Sequence, residues 1–545
     1  MIKIIKFCNK FFYGNRILLF LYVFITIVIS FIGIIIPYIL GVLIDQLSID
    51  ASNSSIYKFC LIFFSINIIK IIFTYINSVL YVKVQIKAAF NMNAHILNHI
   101  KKISMSFFHD KDISYLNQQI NNDSNSLTIF TINILSDILT NSVTLIFVIS
   151  ILWKINSSIF YIILILIISY LLLYLGVKKI MYKYNYIFKE SQSTFFSKLQ
   201  EQLYNIKFIK IHSIFDFFEN RLYDSYLDLI NIAIKNNRIN YGFKSLESLI
   251  TLSSQCMLIF LGALSVIKGN ITIGFFTIIS NYFFMSLNSF KYFMSLAQNY
   301  QNTLVSYNRI IAILNINEQT NGTKIIDKIE RIELKNINFK YRNELVLCNF
   351  NYTFECGKIY CIVGENGSGK STLVDILLGL YINEFTGKIT YNDYDIHDIN
   401  LYYLRESKVG VIEQEPLLIS DTIINNIRLN NINIDEKRVK ELLELFNLSI
   451  DKNKVVQDKG ENLSGGEKQK LSIIRELLKD PCLIIFDEPT SALDKESKLK
   501  FYNLISEIKK DKSKIIIIIT HDSELINLTN NIININYGGV YNGMD

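Results

Sequence analysis

The chain has 545 residues, half of them apolar, with a mean hydropathy of +0.29 and a net charge of +7. That length exceeds one ordinary core and that hydropathy excludes a wholly water-soluble protein of average composition, so a membrane portion is expected. The basic residues are spread along the chain rather than gathered in one patch, a pattern of membrane topology and not of a nucleic-acid footprint.

Six apolar stretches occupy the first 310 residues, near 17–44, 57–82, 128–153, 158–177, 247–267 and 271–297. Each can cross a bilayer, which takes about 20 apolar residues. The first runs too far, without a small-residue cleavage site, to be a removed signal sequence. Lys3, Lys6, Lys10 and Arg16 precede it and place the N-terminus in the cytoplasm. The connections then alternate. Residues 46–55 hold no Lys or Arg, and the turns at 154–157 and 268–271 hold only Lys154 and Lys268. Segment 83–126, with Lys83, Lys87, Lys101, Lys102 and Lys111, and segment 178–244, with eleven Lys and Arg, are therefore cytoplasmic. Read as one helix, 57–102 is roughly 70 Å long against about 30 Å of hydrocarbon, so the bundle projects far into the cytosol.

Lys70, Asp137 and Lys291 lie within or near apolar stretches, where ionisable groups face an interior or a cavity; Lys70 and Lys291 are equally readable as lying in the interfacial or cytoplasmic part of a long helix. The stretch at 271–297 carries Phe275, Phe276, Tyr282, Phe283, Phe284, Phe290, Tyr292 and Phe293, readable either as a cavity lining or as lipid-facing packing. His95 and His99 stand four apart on one helical face without a third ligand near, which reads as a solvated face rather than a metal site. The seven cysteines are scattered, and neither a disulfide framework nor a zinc site is expected. Cys356 and Cys361 read as small core residues flanking a hairpin.

Residues 313–330 turn polar, with Asn321-Gly322 as a turn signal, and read as a linker. Beyond them, short apolar runs at Ile359 to Val363, Leu483 to Phe486 and Ile515 to Ile519 alternate with helical segments, the pattern of buried parallel strands. The first run enters Gly364-Glu365-Asn366-Gly367-Ser368-Gly369-Lys370-Ser371, which satisfies G-x-x-x-x-G-K-[ST]. Its glycines let the backbone wrap phosphate oxygens, and a helix opens at Lys370 with Thr372 in its first turn. Lys370 is expected to reach the β and γ phosphates, and Ser371 to bind Mg²⁺. About a hundred residues later, Leu463-Ser464-Gly465-Gly466-Glu467 reads as a loop feeding a helix N-terminus. Leu483 to Glu488 then reads as a buried strand ending in two carboxylates, Asp487 to hold a metal ion and Glu488 to activate water.

Over nearly its whole length the chain resembles the ATP-binding-cassette (ABC) family. The run at 463 matches that family's signature loop, with Glu467 where glutamine is commoner. The resemblance implies further roles: Tyr341 stacks on adenine, Gln414 touches Mg²⁺ and senses the membrane domain, and His521 contacts the γ phosphate. Ser491-Ala492-Leu493-Asp494 resembles the loop that links the two sites of a dimer. It implies the fold of an ABC exporter, an all-α six-helix transmembrane domain (1–312), a linker (313–330) and an α/β P-loop ATPase cassette (331–545). It also implies ATP and Mg²⁺ as ligands and a multi-pass place in the cytoplasmic membrane of a bacterium. Because the signature loop serves a second cassette's nucleotide, a partner half-transporter is implied, a homodimer or a heterodimer.

Met105 to His109 resembles the approach to the first of two short coupling helices, placed near 110–117, with the second near Ile211 to Phe218, both docking beside Gln414. Gln457 to Glu461 departs from the exporters' usual glycine-glutamate pair, keeping only Asp458 and Gly460. Leader-cleaving peptide export is not expected, since no peptidase segment precedes the first helix. A processed or cyclic peptide, a drug or a lipid all fit as cargo. The alternatives are an importer or a lipid flippase on the same scaffold, and a soluble cassette ATPase, which would lack six spans and their charge alternation.

Overall fold

The computed structural model describes residues 1–542 apart from 50–52, 110–112, 156, 270, 342–343, 430–434, 449, 458–459, 530 and 537–538. Asp458, retained from the family's usual pair, and the start of the expected first coupling helix lie outside the described residues. The chain divides into two compact units, Met1–Ile103 with Asp110–Asn317, and Ser104–His109 with Glu318–Asp545.

The first unit is helical. A short α1 (Ile2–Cys8) leads to six long helices among the described residues: α2 (Arg16–Ile49), α3 (Asn53–Ile100), α5 (Ile113–Ile155), α6 (Ser157–Tyr204), α8 (Phe215–Ile267) and α9 (Ile273–Leu314). The short α4 (Ser106–His109) falls to the second unit, and α7 (Ile206–His212) links α6 to α8. α3 is one unbroken helix of 48 residues, about 70 Å long at 1.5 Å per residue. Among the described residues, Arg16–Leu47, Ile56–Ile100, Ile113–Ile151 and Phe215–Ile267 are long and apolar enough to cross a membrane. The second short helix comes earlier than the 211–218 of the sequence reading. Ser213 adopts a left-handed φ of 53° that ends α7 at His212, and α8 starts two residues on.

Helix α9 is central to the bundle. Its aromatic residues divide: Tyr282, Phe283 and Phe290 are buried with Ile34, Val148, Phe243 and Leu258, whereas Phe275 and Phe284 stay exposed. Three of the eight aromatic residues are thus core, and the run is neither all cavity nor all lipid face. At its N-terminus, Thr272 accepts the Phe275 N–H at 3.1 Å, and Asp45 of α2 accepts the Gly274 N–H at 2.8 Å and the Thr272 hydroxyl at 2.7 Å. Near its other end a buried ionic clasp joins three helices. Asp123 of α5 lies 3.1 Å from Arg309 of α9 and 3.5 Å from Lys189 of α6, and accepts the Ser306 hydroxyl at 2.8 Å. Two cations share one buried carboxylate here. The second charge of the set is offset by Glu190, 3.5 Å from Arg309, so the cluster is not left with uncompensated charge.

The second unit holds two sheets. Strands β1 (Arg331–Tyr341), β2 (Glu344–Glu355), β4 (Thr386–Tyr391) and β5 (Tyr394–Asp395) form an antiparallel sheet in the order β2-β1-β4-β5. Strands β3 (Ile359–Val363), β6 (Val409–Ile412), β7 (Leu483–Asp487), β8 (Ile515–Ile519), β9 (Asn531–Asn536) and β10 (Gly539–Asn542) form the other, β10-β9-β3-β8-β7-β6, parallel except at β10. Ile515, Ile517 and Ile519 fill one core and Ile516 and Ile518 the other, which is why an all-isoleucine run is needed: both faces of β8 are covered. The hairpin read at Cys356 and Cys361 does not form, because β2 and β3 belong to different sheets. Cys361 is fully buried in β3, and the seven cysteines are free.

Helices α10 (Lys370–Leu377), α11 (Leu401–Ser407), α12 (Ile423–Arg428), α13 (Glu436–Leu445), α14 (Gly465–Leu477), α15 (Lys495–Ile508) and α16 (Ser523–Ile526) complete the unit. Much of the polar stretch after α9 is fastened to it. The Asn321 side chain accepts the Leu401 N–H at 2.7 Å, and the Gly322 N–H donates to Ile399 at 2.9 Å. Gly322 is required at that point, since a Cβ would stand 2.0 Å from the Asp398 backbone. The Ser104–His109 segment joins this unit too, where the Ser104 hydroxyl donates to Glu384.

Candidate nucleotide site

Strand β3 sits between β9 and β8, four of its five residues fully buried, and hands the chain to Gly364 at the strand's C-terminal edge. Gly364 takes φ +156°, with space for a Cβ only 2.2 Å from the Ile535 carbonyl oxygen. Gly369 takes φ +100° and caps α10, with a would-be Cβ 2.7 Å from Val346. The backbone can therefore wind tightly and open its N–H groups to a phosphate. The Lys370 ammonium is curled back inside this loop, donating to the carbonyls of Gly364 at 2.7 Å and Glu365 at 2.8 Å. Ser368 Oγ is buried with no hydrogen-bond partner among the described residues, a donor held ready for an oxygen.

Beside the loop lies a cavity of about 580 Å³. Its walls bring together Tyr341, Asn366, Gly367, Gly369, Lys370, Ser371, Thr372, Gln414, Asp487 and Glu488, with Glu344 and Val346, two residues that the sequence reading did not single out. Tyr341 stands at the rim, its ring edge-on to Phe339 at 4.9 Å and its hydroxyl 3.4 Å from those of Tyr381 and Thr372. At the opposite end Ser371 Oγ reaches Asp487 at 3.5 Å, and the Gln414 amide donates to Glu488 at 3.0 Å. Hydroxyl, carboxylate and amide oxygens form a donor set suited to a hard divalent cation. Glu488 is a non-glycine residue at φ +44°, held there by its N–H on the Ile519 carbonyl at 2.9 Å. Such strain is found where a side chain's aim matters.

The acidic end is electrostatically loaded. Burial raises the Asp487 carboxyl above the usual aspartate value, with Glu488 adding to the shift and Ser371 and Lys370 opposing it. Asp375, one turn inside α10, is pushed up to about 6, by burial first and then by Asp487 and Glu413. A bound cation would relieve this repulsion. Asp375 and Glu413 had no local sequence signal, since their relation to Asp487 exists only through space.

Other predicted residues lie elsewhere. Ser464 caps α14 in a capping box: its hydroxyl accepts the Glu467 N–H at 3.3 Å, while Glu467 accepts the Ser464 N–H at 2.7 Å. Gly465 and Gly466 press against Ala492, where a Cβ on Gly466 would meet the Ala492 carbonyl at 3.1 Å. Leu463 to Glu467 and Ser491 to Asp494 thus form one patch outside the cavity lining. Ser491 donates to the Glu488 carbonyl at 3.0 Å, tying the patch to the end of β7, and Asp494 caps α15. His521, exposed after β8, also falls outside the lining.

Comparison with known proteins agrees with this geometry. The profile of the ABC transporter family matches residues 347–491, and that of the ABC transporter transmembrane region matches residues 19–290. The chain belongs to the ABC transporters. It is 26% identical to the ATP-dependent lipid A-core flippase of Syntrophus aciditrophicus over 78% of this chain and 72% of that one. With the flippase of the same name from Desulfotalea psychrophila it shares 24% identity over 92% of this chain and 89% of that one. A bacterial Atm1-family ABC exporter solved with ATP bound has the same fold, with a TM-score of 0.85 at 18% identity over 97% of this chain and 94% of that one. This ABC transporter is a multi-pass membrane protein of the exporter-type half-transporter class, and it couples ATP hydrolysis to transport. The match at 19–290 overturns the reading as a soluble cassette ATPase.

Proposed function

We propose that two copies of the chain form an exporter in the cytoplasmic membrane of a bacterium, with the N-terminus and the cassette in the cytoplasm. Residues 1–312 make the membrane domain, 313–330 the connection and 331–545 the cassette. The observation that carries this is the division of the predicted residues: Lys370, Ser371, Gln414, Asp487 and Glu488 share one cavity, while Leu463 to Glu467 lie outside its lining, packed on Ala492. A cavity complete on one side and an outward helix N-terminus on another fit a two-fold pair, each chain closing the other's site.

ATP binds with its adenine against Tyr341 and its phosphates on Gly364 to Thr372. Ser371, Gln414 and Asp487 would hold Mg²⁺, which would neutralise phosphate charge. Lys370 leaves its own loop's carbonyls to meet the β and γ oxygens. Glu488, aimed by its strained backbone and by Gln414, takes the proton of the attacking water, and His521 contacts the γ phosphate. The partner's Leu463 to Glu467 supplies helix N–H groups to the developing charge, and Ser491 to Asp494 links the two sites. The Ser104–His109 segment moves with the cassette and carries its closure to the membrane helices. The cargo is an amphipathic small molecule, peptide or lipid; the flippase relatives are named for lipid A-core, which favours a lipid-like body. Glu488→Gln should retain ATP binding and lose about 10² to 10⁴ of hydrolysis, with flux into proteoliposomes lost alongside. Near-normal turnover in that variant would remove Glu488 from its role.

A further inference from the structure

Within the apolar part of the first unit, Asp137 is a carboxylate that no ion pair among the described residues includes. Asp137 lies on α5 inside the apolar stretch 128–153. Its side chain accepts one hydrogen bond among the described residues, from Ser136 Oγ at 2.8 Å, and Ser136 is in turn 3.1 Å from the Tyr22 hydroxyl of α2. No ion pair of the described residues includes it. The contrast with Lys291 is direct: that lysine on α9 lies within electrostatic reach of Glu247 on α8, so its charge is answered inside the bundle. Asp137 is half-buried, a carboxylate in such a place is costly to ionise without a cation, and residues of this kind in membrane helices mark binding or transport sites.

Tyrosines of three neighbouring helices lie close to Asp137. The rings of Tyr22 and Tyr81, from α2 and α3, stand 5.8 Å apart at 50° to one another. Tyr81 and Tyr292, the latter from α9, both lie within electrostatic reach of the Asp137 carboxylate. The Tyr292 hydroxyl donates to the Asn133 carbonyl at 3.4 Å, one turn before Asp137, so tyrosines from three helices gather near a carboxylate on a fourth. From there Thr26 and Ser30 follow Tyr22 at four-residue steps along one face of α2, pairing with Asn77 at 3.1 Å and Thr144 at 3.1 Å. The polar stripe continues into the bundle, and its hydroxyls and amides satisfy one another.

We propose that Asp137, with Tyr22, Tyr81 and Tyr292, binds the cationic head of an amphipathic cargo, an ammonium or similar organic cation on an apolar body. Carboxylate and aromatic faces together form the chemistry that recognises such ions, and both weaken against a neutral isostere. The inference rests on the reading of the chain as an exporter and gives that exporter its class of cargo. An organic cation and an aminophospholipid present the same head, and bilayer composition separates them.

The test is equilibrium binding of radiolabelled tetraphenylphosphonium to the full-length protein in nanodiscs without nucleotide, so that a failure of hydrolysis or flux is read separately. Wild type should bind the cation and ignore neutral triphenylphosphine oxide. Asp137→Asn should weaken binding at least about tenfold, and Asp137→Glu should restore it to within about threefold. Tyr81→Leu should weaken it while Tyr81→Phe, which keeps the ring, should not, giving a second route if an Asp137 variant fails to fold. Displacement by phosphatidylethanolamine nanodiscs relative to phosphatidylglycerol ones would assign the site to an ammonium lipid; equal binding in both would assign it to a free cation. No binding by wild type, or equal binding by Asp137→Asn, would overturn the proposal.

Discussion

Asp375 couples the cassette's stability to pH. Its carboxyl is pushed up to about 6 by burial, with Asp487 and Glu413 adding, against an ordinary value of 3.8. A group whose folded value lies above its unfolded one contributes stability that is full below about 3.8 and is lost as pH rises through about 6. Asp375→Asn removes the titration, so the variant should melt higher than wild type at pH 7.5 and lose part of the fall in melting temperature between pH 5 and 7. A parallel pH profile in both proteins would place the loss elsewhere. Glu467 behaves oppositely. The Ser464 N–H holds its carboxyl below the usual glutamate value, with the Ser464 hydroxyl and Lys454 and Lys470 helping, so at neutral pH the signature loop ends in an anion. In the proposed pair that charge would face a partner's phosphate and repel it. Glu467→Gln keeps the capping geometry without the charge and should lower the KM for ATP about two- to fivefold, the range expected for one exposed charge, as read from steady-state hydrolysis.

At the scale of elements, the crossing of α2 and α9 is set by two glycines. A Cβ on Gly41 would stand 2.1 Å from Ile278, and one on Gly274 would stand 2.2 Å from the Gly41 carbonyl oxygen. The backbones touch, as at small-residue crossings of membrane helices. Gly41→Ala should destabilise the detergent-solubilised protein by roughly 1 to 3 kcal/mol, and Ile278→Ala on the same chain should recover part of it, because the nearest obstacle is a movable side chain and only the Gly274 carbonyl, 2.8 Å away, remains behind it. Gly274→Ala should not be recovered this way, its obstacle being backbone; recovery in both would mean that the helices simply slide apart. None of this crossing was legible in the sequence. The helices themselves were, since each apolar run is long enough to name itself, and so were β3, β7 and β8, whose runs are short and bounded. Long-range partners were not: the Asp123, Lys189 and Arg309 clasp joins residues far apart in the chain, and the break between β2 and β3 reflects which sheet each strand joins. In the site, the phosphate loop and the Asp487-Glu488 pair were readable because their chemistry is contiguous. Glu344 and Val346 come to the cavity, and Asp375 and Glu413 come within electrostatic reach of Asp487, only through folding.

For the whole molecule, the placement of the signature patch makes a prediction that no single-chain reading shares. Ser464 caps a helix outside the cavity that Lys370 lines, so in a two-fold pair each site takes its phosphate loop from one chain and its signature loop from the other. Lys370→Ala and Ser464→Arg should each abolish hydrolysis when every chain carries the change. Mixed in equal amounts and allowed to pair at random, half of the dimers are hybrid. In a hybrid one site combines both defects, and the other combines two intact halves. Hydrolysis should therefore return to roughly a quarter of the wild-type rate if the sites act independently, and to less if both must fire together. The double variant in one chain, mixed with itself, should stay silent. If Ser464 instead served its own chain's nucleotide, every site in every dimer would carry a defect and the mixture would remain as inactive as its components. Failure of the two variants to pair, visible as no hybrid on tandem affinity capture with two tags, would argue against the homodimer itself, whereas capture without recovered hydrolysis would argue against the exchange of signature loops.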